Sequence, residues 1–160
     1  ETYGQDFQLL QNVIQINVDQ VDHFVDRIAK RLGGFEGKTV GLLGLTFKPD
    51  TDDLRDAPAL DLIEQLHRLG ARVKGYDPLV SQSGMRHGLS NVLVETDAER
   101  LADGCDALVL VTDWKQFLSL DYEGMAKLMV NPVIIDGRNF LDQAALESAG
   151  FRYVGIGRQG

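Results

Sequence analysis

The stretch Thr39-Val40-Gly41-Leu42-Leu43-Gly44-Leu45-Thr46-Phe47 decides how this chain is read. Its first seven residues are small or apolar without alternation, the composition of a strand buried on both faces, as in a parallel sheet. Gly41 and Gly44 stand where such a strand would turn into a dinucleotide loop. The Gly-x-Gly-x-x-Gly spacing counted from Gly41 nevertheless fails at its second glycine, Leu43. A longer charged segment, Lys48-Pro49-Asp50-Thr51-Asp52-Asp53-Leu54-Arg55-Asp56-Ala57-Pro58, replaces the tight turn. A nucleotide bound here is therefore held by something other than a glycine fingerprint.

Downstream, β-rich runs alternate with helical patterns. A helix from about Ala57 to Leu69 ends at Gly70, and Ala71–Tyr76 reads as a second strand with Asn91–Val94 as a short third. After a helix at Asp97–Ala102 comes Ala107–Val111, apolar throughout and expected at the centre of the sheet. Helices at Glu123–Met129 and Asp142–Ser148 alternate with strands at Val133–Ile135 and Phe151–Val154. Strict alternation implies parallel strands joined by right-handed helical crossovers, an α/β fold of doubly wound, Rossmann-like type.

Upstream, Leu10, Ile14, Val18, Val21, Val25, Ile28 and Leu32 recur every three or four positions, one stripe on a long amphipathic helix of about 35 Å at ~1.5 Å per residue. Lys30 and Arg31 suit the negative end of the helix dipole, and Gly33-Gly34 supplies a left-handed stop. A helix this long either lies on its own domain or packs on another domain or subunit.

A chain of 160 residues, 44% hydrophobic, is sized for one core. The net charge of −8 argues against nucleic acid and anionic membranes as partners, so a bound phosphate must meet locally placed cations. The lone cysteine, Cys105, excludes a disulfide framework and fits a reducing compartment, by default the cytoplasm. No apolar run is long enough for a bilayer, and the polar start without Met is expected to be an internal boundary of a longer protein rather than a signal peptide.

In doubly wound sheets ligands sit at the carboxyl ends of the strands. That selects Thr46–Pro58 after the first strand, with its cations Lys48 and Arg55, then Tyr76-Asp77-Pro78, Thr112-Asp113-Trp114-Lys115, and Asp136-Gly137-Arg138-Asn139. Lys48 and Arg55 sit on a loop stiffened by Pro49 and Pro58, among carboxylates able to orient them for a diphosphate, with Asp56 in position to cap the next helix. The same loop also reads as solvated acidic surface. Calcium is disfavoured by the absence of the turn glycine and terminal bidentate Glu. Arg138 follows a strand, with Gly137 permitting a sharp turn. Asp77 matches either a ribose-reading acid or a plain turn. Trp114 reads as packing, and Asp113 as part of the pocket rim. His23, His67 and His87 have no metal-ligand spacing, and Cys105, at the amino end of the sheet, reads as a small buried hydrophobe rather than a nucleophile.

The segment from Gly44 to Pro58 resembles, without interruption, the signature of the UDP-glucose and GDP-mannose dehydrogenase family. Tyr76-Asp77-Pro78, Thr112-Asp113-Trp114 with Phe117, and Asp136-Gly137-Arg138-Asn139 follow in the family's order, so the resemblance covers nearly everything from Lys38. Gln8–Leu32 is similar to the end of the family's long central helix, and Thr112-Asp113-Trp114 is closer to the UDP-glucose members than to the GDP-mannose branch. The resemblance implies residues 1–36 as the end of a dimerisation helix and 37–160 as a C-terminal nucleotide-sugar (UDP) binding domain. It also implies a homodimeric enzyme that oxidises a sugar C6 alcohol to a carboxylate in two NAD-dependent steps through a cysteine-bound thiohemiacetal. By motif position Phe47, Lys48 and Arg138 would bind the UDP-sugar, and Arg55 would reach NAD across a domain cleft. Nothing here matches the family's catalytic cysteine or its glycine-rich NAD loop, so no catalytic residue and no metal ligand is expected in this chain, and it should be inactive alone. The alternatives are a domain of a GDP-mannose or UDP-N-acetylhexosamine dehydrogenase, a stand-alone nucleotide-binding regulatory module, or a dimerising scaffold.

Overall fold

The computed structural model describes residues 25–26, 28–30, 32–46, 48–50, 54, 57–80, 89 and 91–155. Among these, six strands form one sheet: β1 (Thr39–Leu43), β2 (Arg72–Tyr76), β3 (Leu93–Val94), β4 (Ala107–Leu110), β5 (Val133–Asp136) and β6 (Arg152–Gly155). All pairings are parallel, in the order β3-β2-β1-β4-β5-β6. The helices are α1 (Pro58–Arg68), α2 (Ala98–Ala102), α3 (Tyr122–Leu128) and α4 (Gln143–Ser148), with a 3-10 turn at Lys115–Ser119 that the sequence pattern does not signal. The Rossmann-like alternation is thus present, with the Ala107 strand central as expected.

Side-chain period in the strands sorts the core into two layers. Val40, Leu42, Ala107, Val109, Val133 and Ile135 pack with the apolar stripe of α1, Ala59, Leu62, Ile63 and Leu66. Leu43, Leu108, Leu110 and Ile134 face the other way, onto Leu101 of α2, Met125 of α3 and Leu146 of α4. This alternation on strands that are buried on both sides is what an unbroken apolar run encodes.

Of the upstream stripe, Val25 and Ile28 are buried against the α1 layer. The amide N–H groups of Gly33 and Gly34 donate to Ala29 O at 2.9 and 3.1 Å, at φ of 70° and 115°, so the glycines terminate the helical turn as their freedom allows. The part of the expected long helix before Val25, together with positions 27 and 31, lies outside the described residues.

Asp97, Asp121 and Asp142 cap α2, α3 and α4, each carboxylate accepting the amide of the residue three positions on. The expected Asp56 cap of α1 is not what forms. The N-cap is Ala57, in an extended conformation with no side-chain acceptor. Pro58 at the first helical position holds its predecessor out of the helical region, which moves the boundary one residue on. Asp56 itself lies outside the described residues.

Between β1 and β4 the topology reverses direction. From β1 the chain steps outward to β2 and β3, then returns to β4 and steps outward on the other side. The carboxyl ends of these two strands diverge there, leaving the crevice in which doubly wound sheets take ligands.

Candidate functional site

Four loops leave the carboxyl ends of β1, β2, β4 and β5, and buried polar groups knit them together. The hub of the first three is Asp77, 2% exposed at the end of β2. Its Oδ2 accepts from Leu45 N at 2.8 Å, Thr46 N at 3.2 Å, Thr46 Oγ1 at 3.2 Å and Trp114 Nε1 at 3.2 Å. Its Oδ1 accepts from Leu79 N at 3.0 Å. The carboxylate is buried and turned onto protein donors, Oδ2 above all, rather than presented to a ribose hydroxyl. Of the two sequence readings of Asp77, the turn is the one realised, extended into an internal brace.

A second brace joins the β1 and β4 loops directly. Thr112 Oγ1–H donates to Thr46 O at 2.6 Å, while Thr46 Oγ1 lies 3.0 Å from Lys48 O as well as within reach of Asp77 Oδ2, its single hydrogen serving one of these acceptors at a time. Gly44 makes the approach feasible. It sits at φ 91°, and a Cβ there would stand 2.5 Å from Thr112 Cβ and 2.7 Å from Thr112 N. The glycine thus serves close packing of two loops, where a dinucleotide site would use it for a pyrophosphate. With Asp77 buried among the loops it braces and the space beside Gly44 taken by Thr112, the residues at this strand end do not fit a dinucleotide cofactor.

The β5 loop is fixed by Asp136, fully buried. Its Oδ1 accepts from Arg138 N at 3.0 Å, while Oδ2 accepts from Phe140 N at 2.8 Å, Leu141 N at 2.7 Å and Tyr153 OH at 2.8 Å. The left-handed residue in this loop is Asn139, at φ 52°, and not Gly137, whose flexibility the sequence suggested. Asparagine tolerates that conformation better than other non-glycine residues. Arg138 is thereby presented from a rigid backbone with its side chain 44% exposed, and its Nε lies 3.8 Å from Asp113 Oδ1.

Lys48 is exposed on the β1 loop beside Asp50, which adopts φ 66°. Lys48 and Arg138 therefore ride on loops joined through the Thr46–Thr112 and Asp113–Arg138 contacts. Phe47 and Arg55 lie outside the described residues, as do Asp52, Asp53, His23 and His87. His67 is partly buried on α1. Trp114 is 2% exposed, a packing residue whose indole also serves the Asp77 brace. Cys105 is fully buried, its Sγ–H donating to Leu101 O at 3.0 Å. Burial pushes its thiol up to about 12, with the Lys74 cation acting in the opposite direction. A thiol held neutral at the amino end of the sheet is no nucleophile.

Sequence reasoning placed Thr46 and Thr112 in candidate loops without giving either a role, and did not single out Tyr153. The signal available for the threonines was a hydroxyl residue directly after each of the two most apolar strands. Grooves do not point to the site either: one of about 680 Å³, lined by Asn131, Pro132, Phe151 and Arg152, opens at the amino ends of β5 and β6.

Comparison with known proteins agrees with this arrangement. Residues 41–143 match the model of the UDP-glucose/GDP-mannose dehydrogenase family, UDP binding domain. The chain is 39% identical over 155 residues to the UDP-glucose 6-dehydrogenase TuaD of Bacillus subtilis, covering 97% of this chain and 34% of that protein. It is also 39% identical over 165 residues to a UDP-glucose 6-dehydrogenase of Pseudomonas aeruginosa, covering 99% and 36%. The solved UDP-glucose dehydrogenase of Pyrobaculum islandicum superposes with a TM-score of 0.76 at 30% identity, covering 93% of this chain and 32% of that one. The chain spans about a third of the length of the curated relatives it matches.

Proposed function

The chain belongs to the UDP-glucose/GDP-mannose dehydrogenase family, and from that premise we propose that it holds the UDP end of a nucleotide sugar within a larger NAD-dependent UDP-glucose 6-dehydrogenase. In that reading the whole enzyme converts UDP-glucose to UDP-glucuronate in two oxidations. The observation that carries it is Arg138, a half-exposed guanidinium on a loop clamped by Asp136, beside the β1–β4 crevice. A preoriented guanidinium is the group best matched to phosphate oxygens. Lys48 adds a second cation from the β1 loop, and Phe47 would meet the base or sugar.

NAD would be bound by the part of the enzyme beyond this chain, with Arg55 reaching it from the β1 loop. The poor fit of Asp77 and Gly44 to a dinucleotide supports that division and weighs against a regulatory NAD module. The nucleophilic cysteine would also come from beyond this chain, since Cys105 is buried at the wrong end of the sheet. The part of the apolar stripe before Val25, from Leu10 to Val21, would form a homodimer interface, since Val25 and Ile28 pack on this domain, with residues 1–36 belonging to that helix and 37–160 to the nucleotide-sugar domain. One free, buried cysteine suits the cytoplasm.

Calorimetric titration of the 160-residue chain with UDP, UDP-glucose, GDP-mannose and NAD tests the reading. Binding of UDP and UDP-glucose in preference to the other two is expected. Preference for GDP-mannose would move the chain to that branch, and preference for NAD would overturn the assignment.

A further inference from the structure

Among the described residues one buried side-chain oxygen lacks a hydrogen-bond partner: Oδ1 of Asp113. Leaving a carboxylate oxygen dry and unpaired is unfavourable, and in a native structure it calls for a reason. The neighbouring cation is Arg138, whose Nε stands 3.8 Å away, within ion-pair reach but too far for a hydrogen bond. Both backbones are anchored. Trp114 is held through Thr112 O and Asp77, and Arg138 through Asp136. The freedom that remains is rotation of the guanidinium, and a movement of about 1 Å would bring Nε–H onto Oδ1 at hydrogen-bond distance.

A guanidinium offers five N–H donors in one plane. If Nε–H is committed to Asp113, the plane is fixed and the end-on pair of N–H groups, one from each terminal Nη, points away from the carboxylate as a fork. No other ion pair or hydrogen bond of the Arg138 side chain exists among the described residues. We propose that Asp113 is the positioning residue for Arg138: it takes Nε–H and turns the Nη fork toward the phosphate oxygens of a nucleoside diphosphate. This rests on the reading that Arg138 serves the nucleotide. Asp113 itself touches no ligand, since a carboxylate facing a diphosphate would repel it.

Two measurements on the 160-residue chain test the proposal. In the ligand-free protein, the Arg138 Nε–H resonance should exchange with water about tenfold faster in Asp113→Asn than in the parent, the loss expected for one charge-assisted bond. An unchanged backbone amide spectrum would show the fold intact. In calorimetry with UDP, Asp113→Asn should weaken binding roughly tenfold, and Arg138→Ala at least as much. In the Arg138→Ala background Asp113→Asn should add less than about twofold, because residues acting through one another are non-additive. Asp113→Glu should recover part of the affinity. Equal losses with and without Arg138, or an Nε–H exchange rate indifferent to Asp113, would overturn the proposal. If the parent chain fails to bind UDP, the nucleotide reading fails by itself, and the exchange measurement still decides whether Asp113 holds Arg138.

Discussion

Trp114 donates its indole N–H to Asp77 Oδ2 at 3.2 Å, tying the loop after β4 to the end of β2 across the intervening strand β1. The same oxygen takes both amides of the β1 loop. One carboxylate therefore sets the spacing of three loops, and the chain's sole tryptophan reports on it.

Replacing Asp77 by Ala leaves two buried amides and an indole N–H without an acceptor. Each buried unsatisfied donor costs about 1–3 kcal/mol, so the domain should lose on the order of 3 kcal/mol or more of stability. Urea unfolding followed by Trp114 fluorescence measures this. A loss below about 1 kcal/mol would mean that water substitutes for the carboxylate.

Gly44→Ala places a methyl group against Thr112 at φ 91°. Backbone strain and overpacking together should cost roughly 2–5 kcal/mol. The double variant Gly44→Ala with Thr112→Ala should not recover the parent's stability, since Thr112 N also lies in the way. Thermal unfolding of both variants is the measurement.

Arg138→Ala keeps the backbone anchor to Asp136 but leaves the buried Asp113 Oδ1 without its neighbouring cation, so it should cost about 1–3 kcal/mol of stability, read by urea unfolding. In the whole enzyme the same change should raise the Michaelis constant for the nucleotide sugar by about tenfold or more. An unchanged constant would remove Arg138 from the site. The 160-residue chain by itself should produce no NADH from UDP-glucose, and any turnover would contradict the assignment of the nucleophile to the rest of the enzyme.

Cys105 should resist a thiol reagent in the native state and react on unfolding. The pH dependence has a definite sign. Burial raises the folded thiol from 9.0 to about 12, so its contribution is intact below the unfolded value and declines as pH rises toward the folded one. The stability difference between the parent and Cys105→Ala should shift against the parent above about pH 9, by at most ~1.4 kcal/mol per pH unit. Urea unfolding at several alkaline pH values, parent against variant, checks the slope.

Much of this architecture could be read from the chain alone. The unbroken apolar runs at Thr39–Leu45 and Ala107–Val111 declare strands buried on both sides, and Pro58, Gly70 and Asp97 mark helix ends in positions close to those observed. The loops were less legible. Asp77 followed by Pro78 fits a ribose reader and a brace equally well, because the sequence carries no record of which donors turn inward. The cap of α1 was displaced to Ala57 by a steric effect of Pro58, and the left-handed residue after β5 proved to be Asn139 beside an equally eligible Gly137. The pairing of Thr46 with Thr112 escaped notice because it depends on β1 and β4 being neighbours, a property of the strand order.

That pairing spans 66 positions, a delay for a chain that emerges from the ribosome in order. At about 5–20 residues per second, roughly 3–13 s separate the appearance of Thr46 from that of Thr112. During that interval the β1 loop has no partner for its Thr46 carbonyl, and Arg138 does not yet exist. The crevice proposed for the nucleotide thus has no half-built precursor, and ligand added during synthesis could assist only the completed domain.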